Sequence, residues 1–224
     1  VDVRTAFICA LITLSLSLAG CAGAETTDDG PTRLDDVEVF EYEGERLDSP
    51  DDFRENSIAG PQDVDIDEYR LRVTGLVDDP AEYTYSEVTS GFPGYEKVVQ
   101  LDCVEGWSAR VLWGGVLVRD LLDASGVQEG ARSVVFSAVD GYTTSFPVQY
   151  FYDNDILLAH SMNGEALRPD RGFPFQVVAE EKWGYKWCKW VETIELVADE
   201  DPGGYWEDRG YANDGDRDES FFGD

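Results

Sequence analysis

Short alternations of apolar and polar residues run through most of this chain, and they set the first expectations about its fold. Val99, Leu101 and Cys103 share one face of an alternating run at residues 97–103, and Gly106 ends the pattern. The run predicts a central strand whose last apolar side chain, Cys103, enters a loop. Residues 69–73 alternate apolar side chains with Arg70 and Arg72, as a half-exposed strand does. Residues 133–139 and 142–146 flank Asp140-Gly141, a two-residue hairpin signal. Residues 37–42, 155–160, 175–179 and 189–197 read as further strands, with turns at residues 75–80 and at Asn163-Gly164. Helical signals are few. Thr84 and Glu87 are spaced as a capping box, and residues 118–124 carry a second short helix that stops at Gly126. Many strands with few short helices predict an α+β domain built on a mixed sheet.

Both ends depart from this pattern. Arg4 precedes an apolar run at residues 6–18, shorter than the roughly 20 residues of a comfortable membrane span. Leu18-Ala19-Gly20-Cys21 follows and resembles a lipobox. Residues 1–20 are therefore expected to be a signal peptide with its lipobox at 18–21, and Cys21 the site of lipid attachment. The mature protein would then be extracytoplasmic, lipid-anchored to the cell membrane at its periplasmic or cell-surface face. Residues 21–51 are polar, acidic and aperiodic, as in a flexible tether. Residues 52–198 hold the domain, and residues 199–224 read as an acidic C-terminal tail.

Composition sharpens the picture. In 224 residues, 42% hydrophobic and 12% aromatic content suits one packed core. The net charge is −30, with 17 acids against 3 bases in residues 25–68 and 10 against 2 in residues 199–224. Such a surface repels phosphate backbones, which argues against nucleic acid as a partner. One stretch runs the other way. Three of the four lysines, Lys182, Lys186 and Lys189, lie close together, joined by Arg168 and Arg171. Clustered cations in an acidic chain suit an anion, or else a salt-bridged face. Gly184 beside them admits close backbone approach.

Cys103-Val104-Glu105-Gly106-Trp107-Ser108 resembles the molybdenum-ligand segment of the sulfite oxidase family of molybdopterin enzymes. Three blocks follow in the family's order: Asn163-Gly164-Glu165-Ala166-Leu167, Arg171-Gly172-Phe173-Pro174-Phe175 and Gly184-Tyr185-Lys186-Trp187-Cys188-Lys189-Trp190. The resemblance implies the fold of the sulfite oxidase molybdopterin domain and a molybdenum-pyranopterin cofactor. Cys103 would be the metal ligand and catalytic centre. Trp187, Cys188 and Lys189, with Lys186 close behind, would hold the pyranopterin phosphate. Arg171, at a position that is His or Asn in familiar members, and Gln176, where the family usually has Arg, would also meet the cofactor. Phe53-Arg54-Glu55-Asn56-Ser57 resembles the N-terminal cofactor segment, which adds Arg54, Glu55 and Asn56. Gly204-Tyr205-Trp206-Glu207 and Gly210-Tyr211 recur in some members and read either as packing over the cofactor mouth or, by preference, as surface docking.

The activity this implies is oxygen-atom transfer on a small sulfur oxyanion or an S-oxide. The chain is similar to the small prokaryotic members, among them periplasmic methionine sulfoxide reductase catalytic subunits. It has no Cys-x-x-Cys-His haem motif and one histidine, His160, which reads as a strand residue, so electrons would pass through a separate redox protein. The rival reading is a lipid-anchored, non-catalytic binding domain in which Cys103 and Cys188 form a disulfide.

Overall fold

The computed structural model describes residues 38–223; the segments expected to be a signal peptide, a lipobox with Cys21 and the first part of a tether lie outside them. A two-stranded ribbon, β1 (Glu41–Tyr42) and β2 (Glu45–Arg46), comes first. After it run β3 (Leu71–Gly75), β4 (Ala81–Tyr83), α1 (Tyr85–Gly91), β5 (Gly94–Asp102), β6 (Ser108–Leu117) and α2 (Val118–Ser125). The chain continues through β7 (Ser133–Ala138), β8 (Thr143–Pro147), α3 (Val148–Asp153), β9 (Leu157–Met162), β10 (Glu165–Ala166), β11 (Gln176–Val178) and β12 (Val191–Val197).

Two sheets carry the fold. The first has the order β10-β9-β6-β5, with β11 also pairing β9, and all its pairings are antiparallel. The second has the order β4-β3-β12-β7-β8, in which β12 lies parallel to β3 and the other neighbours are antiparallel. The expected α+β, mixed-sheet class is therefore what the chain adopts.

Local chemistry explains the predicted elements. Thr84 Oγ1 accepts from the Glu87 amide at 3.2 Å while Glu87 Oε2 accepts from the Thr84 amide at 2.8 Å, closing the capping box that starts α1. In α2, Val118, Leu121 and Leu122 fall on one stripe and are buried, and Gly126 ends the helix at a φ of 69°. The chain turns from β7 to β8 at Asp140-Gly141, but the Ala138 amide donates to Tyr142 O at 2.9 Å, so Val139 belongs to the turn and the expected two-residue hairpin is one residue longer. Phe136, Phe146 and Phe151 then meet with ring centroids 5.6–5.8 Å apart and anchor the core.

The largest departure concerns the strand before Cys103. It was expected to be central, but β5 is an edge strand; the inner position belongs to β6, which the alternation does not reveal. From Val111 to Leu117 β6 is buried on both faces, so its residues form a continuous apolar run. Gly114 and Gly115 interrupt that run because β9 crosses there with a bulge. A Cβ at Gly115 would sit 2.6 Å from the Ala159 Cα and against the Leu158 carbonyl.

Both acidic ends differ from expectation as well. The tether expected through residue 51 is already part of the domain from Val39. The Val39 amide donates to Asn163 O, Asp48 N to Arg110 O, and Asn163 Nδ2 to Asp48 O, at 2.8–2.9 Å, while Leu47 is buried. Of the tail, residues 203–222 fold back as a strap along the segment that carries the lysines. Trp183 N donates to Gly215 O at 2.8 Å and Tyr185 Oη to Ala212 O at 2.7 Å.

Candidate active site

Cys103 follows β5 directly. Its amide donates to Trp107 O at 2.9 Å, and the Gly106 amide donates to Cys103 O at 3.0 Å, with Gly106 at a φ of 88°. This tight turn needs glycine at that point. It fixes the thiol at the wall of a cavity of about 430 Å³, the size of a small-molecule site. Cys103 is 8% exposed, and Asn56 Nδ2 lies 3.5 Å from its sulfur. Burial pushes the thiol pKa up; the Glu105 amide and Asn56 pull it back. A soft metal at this place would drive the proton off and bind the thiolate. Among the described residues no group of three His, Cys, Asp or Glu side chains can hold a metal, so such a metal would have Cys103 as its protein ligand and take the rest from an organic group.

The segment over the thiol is held by Arg171. Its Nη2 donates to Pro50 O at 2.6 Å and Phe53 O at 2.8 Å, and its guanidinium lies 4.4 Å over the Phe53 ring. Phe53 in turn stacks on Trp107 at 5.6 Å. Arg54, Glu55 and Asn56 thereby line the cavity, Arg54 lying 3.8 Å from Glu105 with an exposed side chain. Opposite them, Lys189 forms an ion pair with Glu55 and lies 4.5 Å over the Trp190 ring. Burial lowers the Lys189 pKa and Glu55 raises it. Gln176 and Trp187, both nearly buried, complete the expected lining.

Two expected contacts are not there. Lys186 does not line the cavity. It is fully buried, and its Nζ donates to Ser145 O, Glu207 Oε1 and Asn213 O at 2.6–2.7 Å, so the strap takes the charge assigned to the phosphate. Cys188 is also fully buried in the core, where its thiol is pushed upward, and it too is absent from the lining. Both cysteines are free, so the Cys103–Cys188 disulfide of the rival reading is not formed.

Further residues complete the lining. Trp206 and Tyr211 of the strap are among them, which agrees with packing at the cavity mouth rather than with the preferred surface docking. Trp107, Tyr142, Asp140 and Asp170 join them. His160 does not.

The donor set fits the implied cofactor. One thiol suits a soft metal. An ammonium, two guanidinium groups and buried donors suit an anionic pterin. Trp107 Nε1 and Ser57 Oγ, both on lining residues, are buried without a hydrogen-bond partner among the described residues.

Comparisons with known proteins agree with this geometry. A family model described as an oxidoreductase molybdopterin binding domain matches residues 58–206. The oxidoreductase YuiH of Bacillus subtilis is 37% identical over 70% of this chain and 78% of its own length. A putative protein-methionine-sulfoxide reductase subunit, YedZ1, of Azospira oryzae is 36% identical over 67% of this chain and 56% of its own. Sulfite oxidase of Arabidopsis thaliana is 28% identical over 62% of this chain and 44% of its own, so the match spans about half of these two relatives or less. The solved structure of the sulfane dehydrogenase SoxCD from Paracoccus pantotrophus shares the fold with a TM-score of 0.60, at 24% identity over 63% of this chain and 41% of that one. A thiol presented by a strand-end turn to a donor-lined cavity, within a domain matched over most of its length, makes this chain a member of the molybdopterin-binding oxidoreductase family, enzymes that work through a molybdenum-pterin cofactor.

Proposed function

We propose that this enzyme transfers the oxygen atom of a small, neutral S-oxide, taking electrons from a separate redox protein, and that it works outside the cytoplasmic membrane on a lipid anchor at Cys21. The observation that carries the choice of substrate is the charge of the cavity. Arg54, Arg171 and Lys189 face Glu55, Glu105, Asp140 and Asp170 there. Cations engaged by an anionic cofactor leave an acidic surround, and the whole chain carries −30. An oxyanion such as sulfite is repelled by that field, whereas a neutral S-oxide is not. Gln176, buried at the wall where the family usually has Arg, adds a hydrogen-bonding amide without charge. The neutral substrate also accords with the name of the Azospira relative.

The chain's own residues divide the work. Cys103 binds the metal, and Asn56 orients its sulfur. Lys189, Trp187 and Arg54, which line the cavity, would hold the cofactor, and Arg171 fixes the segment at residues 53–57 at the cavity wall through Phe53 O. When bound, the molybdenum-pterin group supplies the two-electron oxygen-atom chemistry. The balance is one S-oxide, two electrons and two protons to one thioether and water. The proton-exchanging groups at the cavity include the carboxyls of Glu55 and Asp140 and the phenol of Tyr142, and His160 does not line it.

The test is turnover by protein loaded with about one molybdenum per chain. Reduced viologen should be oxidised with dimethyl sulfoxide, and sulfite-dependent ferricyanide reduction should be at least about tenfold slower, as expected for a charged competitor that the site repels. Cys103→Ser should abolish turnover with an unchanged circular dichroism spectrum. Faster reaction with sulfite refutes the choice of substrate, and an active Cys103→Ser refutes the site.

A further inference from the structure

The strap at residues 203–222 is held more firmly than a surface tail requires. At its start Ser145 Oγ donates to Gly203 O and Tyr205 N donates to Thr143 O, both at 2.8 Å. Glu207 then enters the core, where Thr144 Oγ1 donates to it at 2.6 Å and Lys186 Nζ at 2.7 Å. Further on, Trp183 and Tyr185 hold the backbone at Gly215 and Ala212. Between these fixings Trp206 and Tyr211 line the cavity, their rings 5.2 Å apart. Tyr211 also packs against Tyr185, itself a lining residue, at 5.0 Å and against Phe222 at 5.6 Å. It also lies past the residues that the family model matches.

An aromatic pair that is half-buried, anchored and aimed into a cavity has little conformational freedom to lose on binding. Each ring offers an apolar face and a polar tip. Aromatic rings also attract sulfur at van der Waals distance. From this arrangement, and resting on the S-oxide reading above, we infer that Trp206 and Tyr211 are specificity-determining residues that hold the apolar arm of a thioether S-oxide, so that long or aromatic substituents are preferred to bare methyl groups.

The experiment compares p-tolyl methyl sulfoxide with dimethyl sulfoxide on cofactor-loaded wild type, Tyr211→Leu and Trp206→Leu. Each variant should lose about tenfold in kcat/KM for the aryl substrate, mainly through KM, and stay within about twofold on dimethyl sulfoxide, the scale of a lost apolar contact. Phe222→Ser, which braces the strap without lining the cavity, should keep the wild-type ratio of the two substrates. Equal losses on both substrates, or no loss on either, overturn the assignment. If the wild type reduces neither sulfoxide, the S-oxide reading fails by itself, and binding decides the wall. Quenching of indole fluorescence by p-tolyl methyl sulfoxide that weakens about tenfold in Tyr211→Leu upholds it. Absent or unchanged quenching overturns it.

Discussion

Replacing Lys186 by methionine tests the structural reading at its most exposed point, the buried pair beneath the strap. Lys186 and Glu207 both have side chains with no solvent exposure, and the ammonium makes three hydrogen bonds while lying 4.8 Å over the Phe146 ring. Methionine fills much of the same space but leaves the Glu207 carboxylate with Thr144 Oγ1 as its remaining donor. Its other oxygen, Oε2, already lacks a partner. Removing one member of such a pair costs about 3–5 kcal/mol because the survivor stays charged and dry. For a domain of this size, each kcal/mol lowers Tm by about 2–4 °C. The variant should therefore melt about 6–20 °C below wild type by circular dichroism. Hydrogen exchange in residues 203–222 should rise most. Lys186→Met combined with Glu207→Leu should recover most of the loss, since an apolar pair of similar volume is often neutral or better. A single variant that loses under about 1 kcal/mol, as a screened surface pair would, refutes the reasoning. So does a double variant no more stable than the single one.

Two further outcomes follow from the packing. Gly115→Ala should cost at least about 2–3 kcal/mol in denaturant unfolding, because the new methyl meets the Leu158–Ala159 backbone and the strand crossing must open; a near-neutral variant would mean that β9 does not cross there. Burial holds the His160 pKa below its usual 6.5, so the folded state keeps the ring neutral. The stability this ring contributes is complete above pH 6.5 and is lost as pH falls through the lowered folded value, where the unfolded chain binds the extra proton. His160→Gln should therefore lose less stability than wild type between pH 7.5 and 5.5, measured by denaturant midpoints; equal losses would show that the ring is not protected.

Elements with local chemistry were legible in the sequence. The Thr84–Glu87 box and the Asp140-Gly141 turn each settle a structure within four residues, and the folded chain uses both. β6 was not legible, since alternation marks strands with one wet face and this one has none over most of its length. β5 alternates visibly because one of its faces is wet, and alternation carries no information on whether a strand lies at the centre or the edge of its sheet. Around the site, Cys103, Asn56, Arg171 and Lys189 stand in short words whose order carries the resemblance. Which of two lysines three residues apart faces the cavity is a different kind of question. The loop that carries both begins with a single 3-10 turn, Gly184–Lys186, and has no period that would sort its faces. The decision rests with Glu207, a partner contributed by the strap.

That partner points to how charge is distributed here. Read along the sequence, the lysine cluster looks like free positive charge waiting for an anion. In the folded chain Lys97 pairs with Glu180, Lys182 with Asp216, Lys186 with Glu207 and Lys189 with Glu55. All four lysines are thus already matched by carboxylates, and three of them are committed outside the cavity lining. The lysine left at the cavity is Lys189, paired with Glu55, beside Arg54 and the unpartnered donors. A diffusing small anion brings too few contacts to displace Glu55, whereas a phosphate fixed to a large pterin adds many. On the proposed reading, the same carboxylates that neutralise the lysines would separate two anions by the company they keep, admitting a phosphate tethered to a large cofactor and turning away free sulfite.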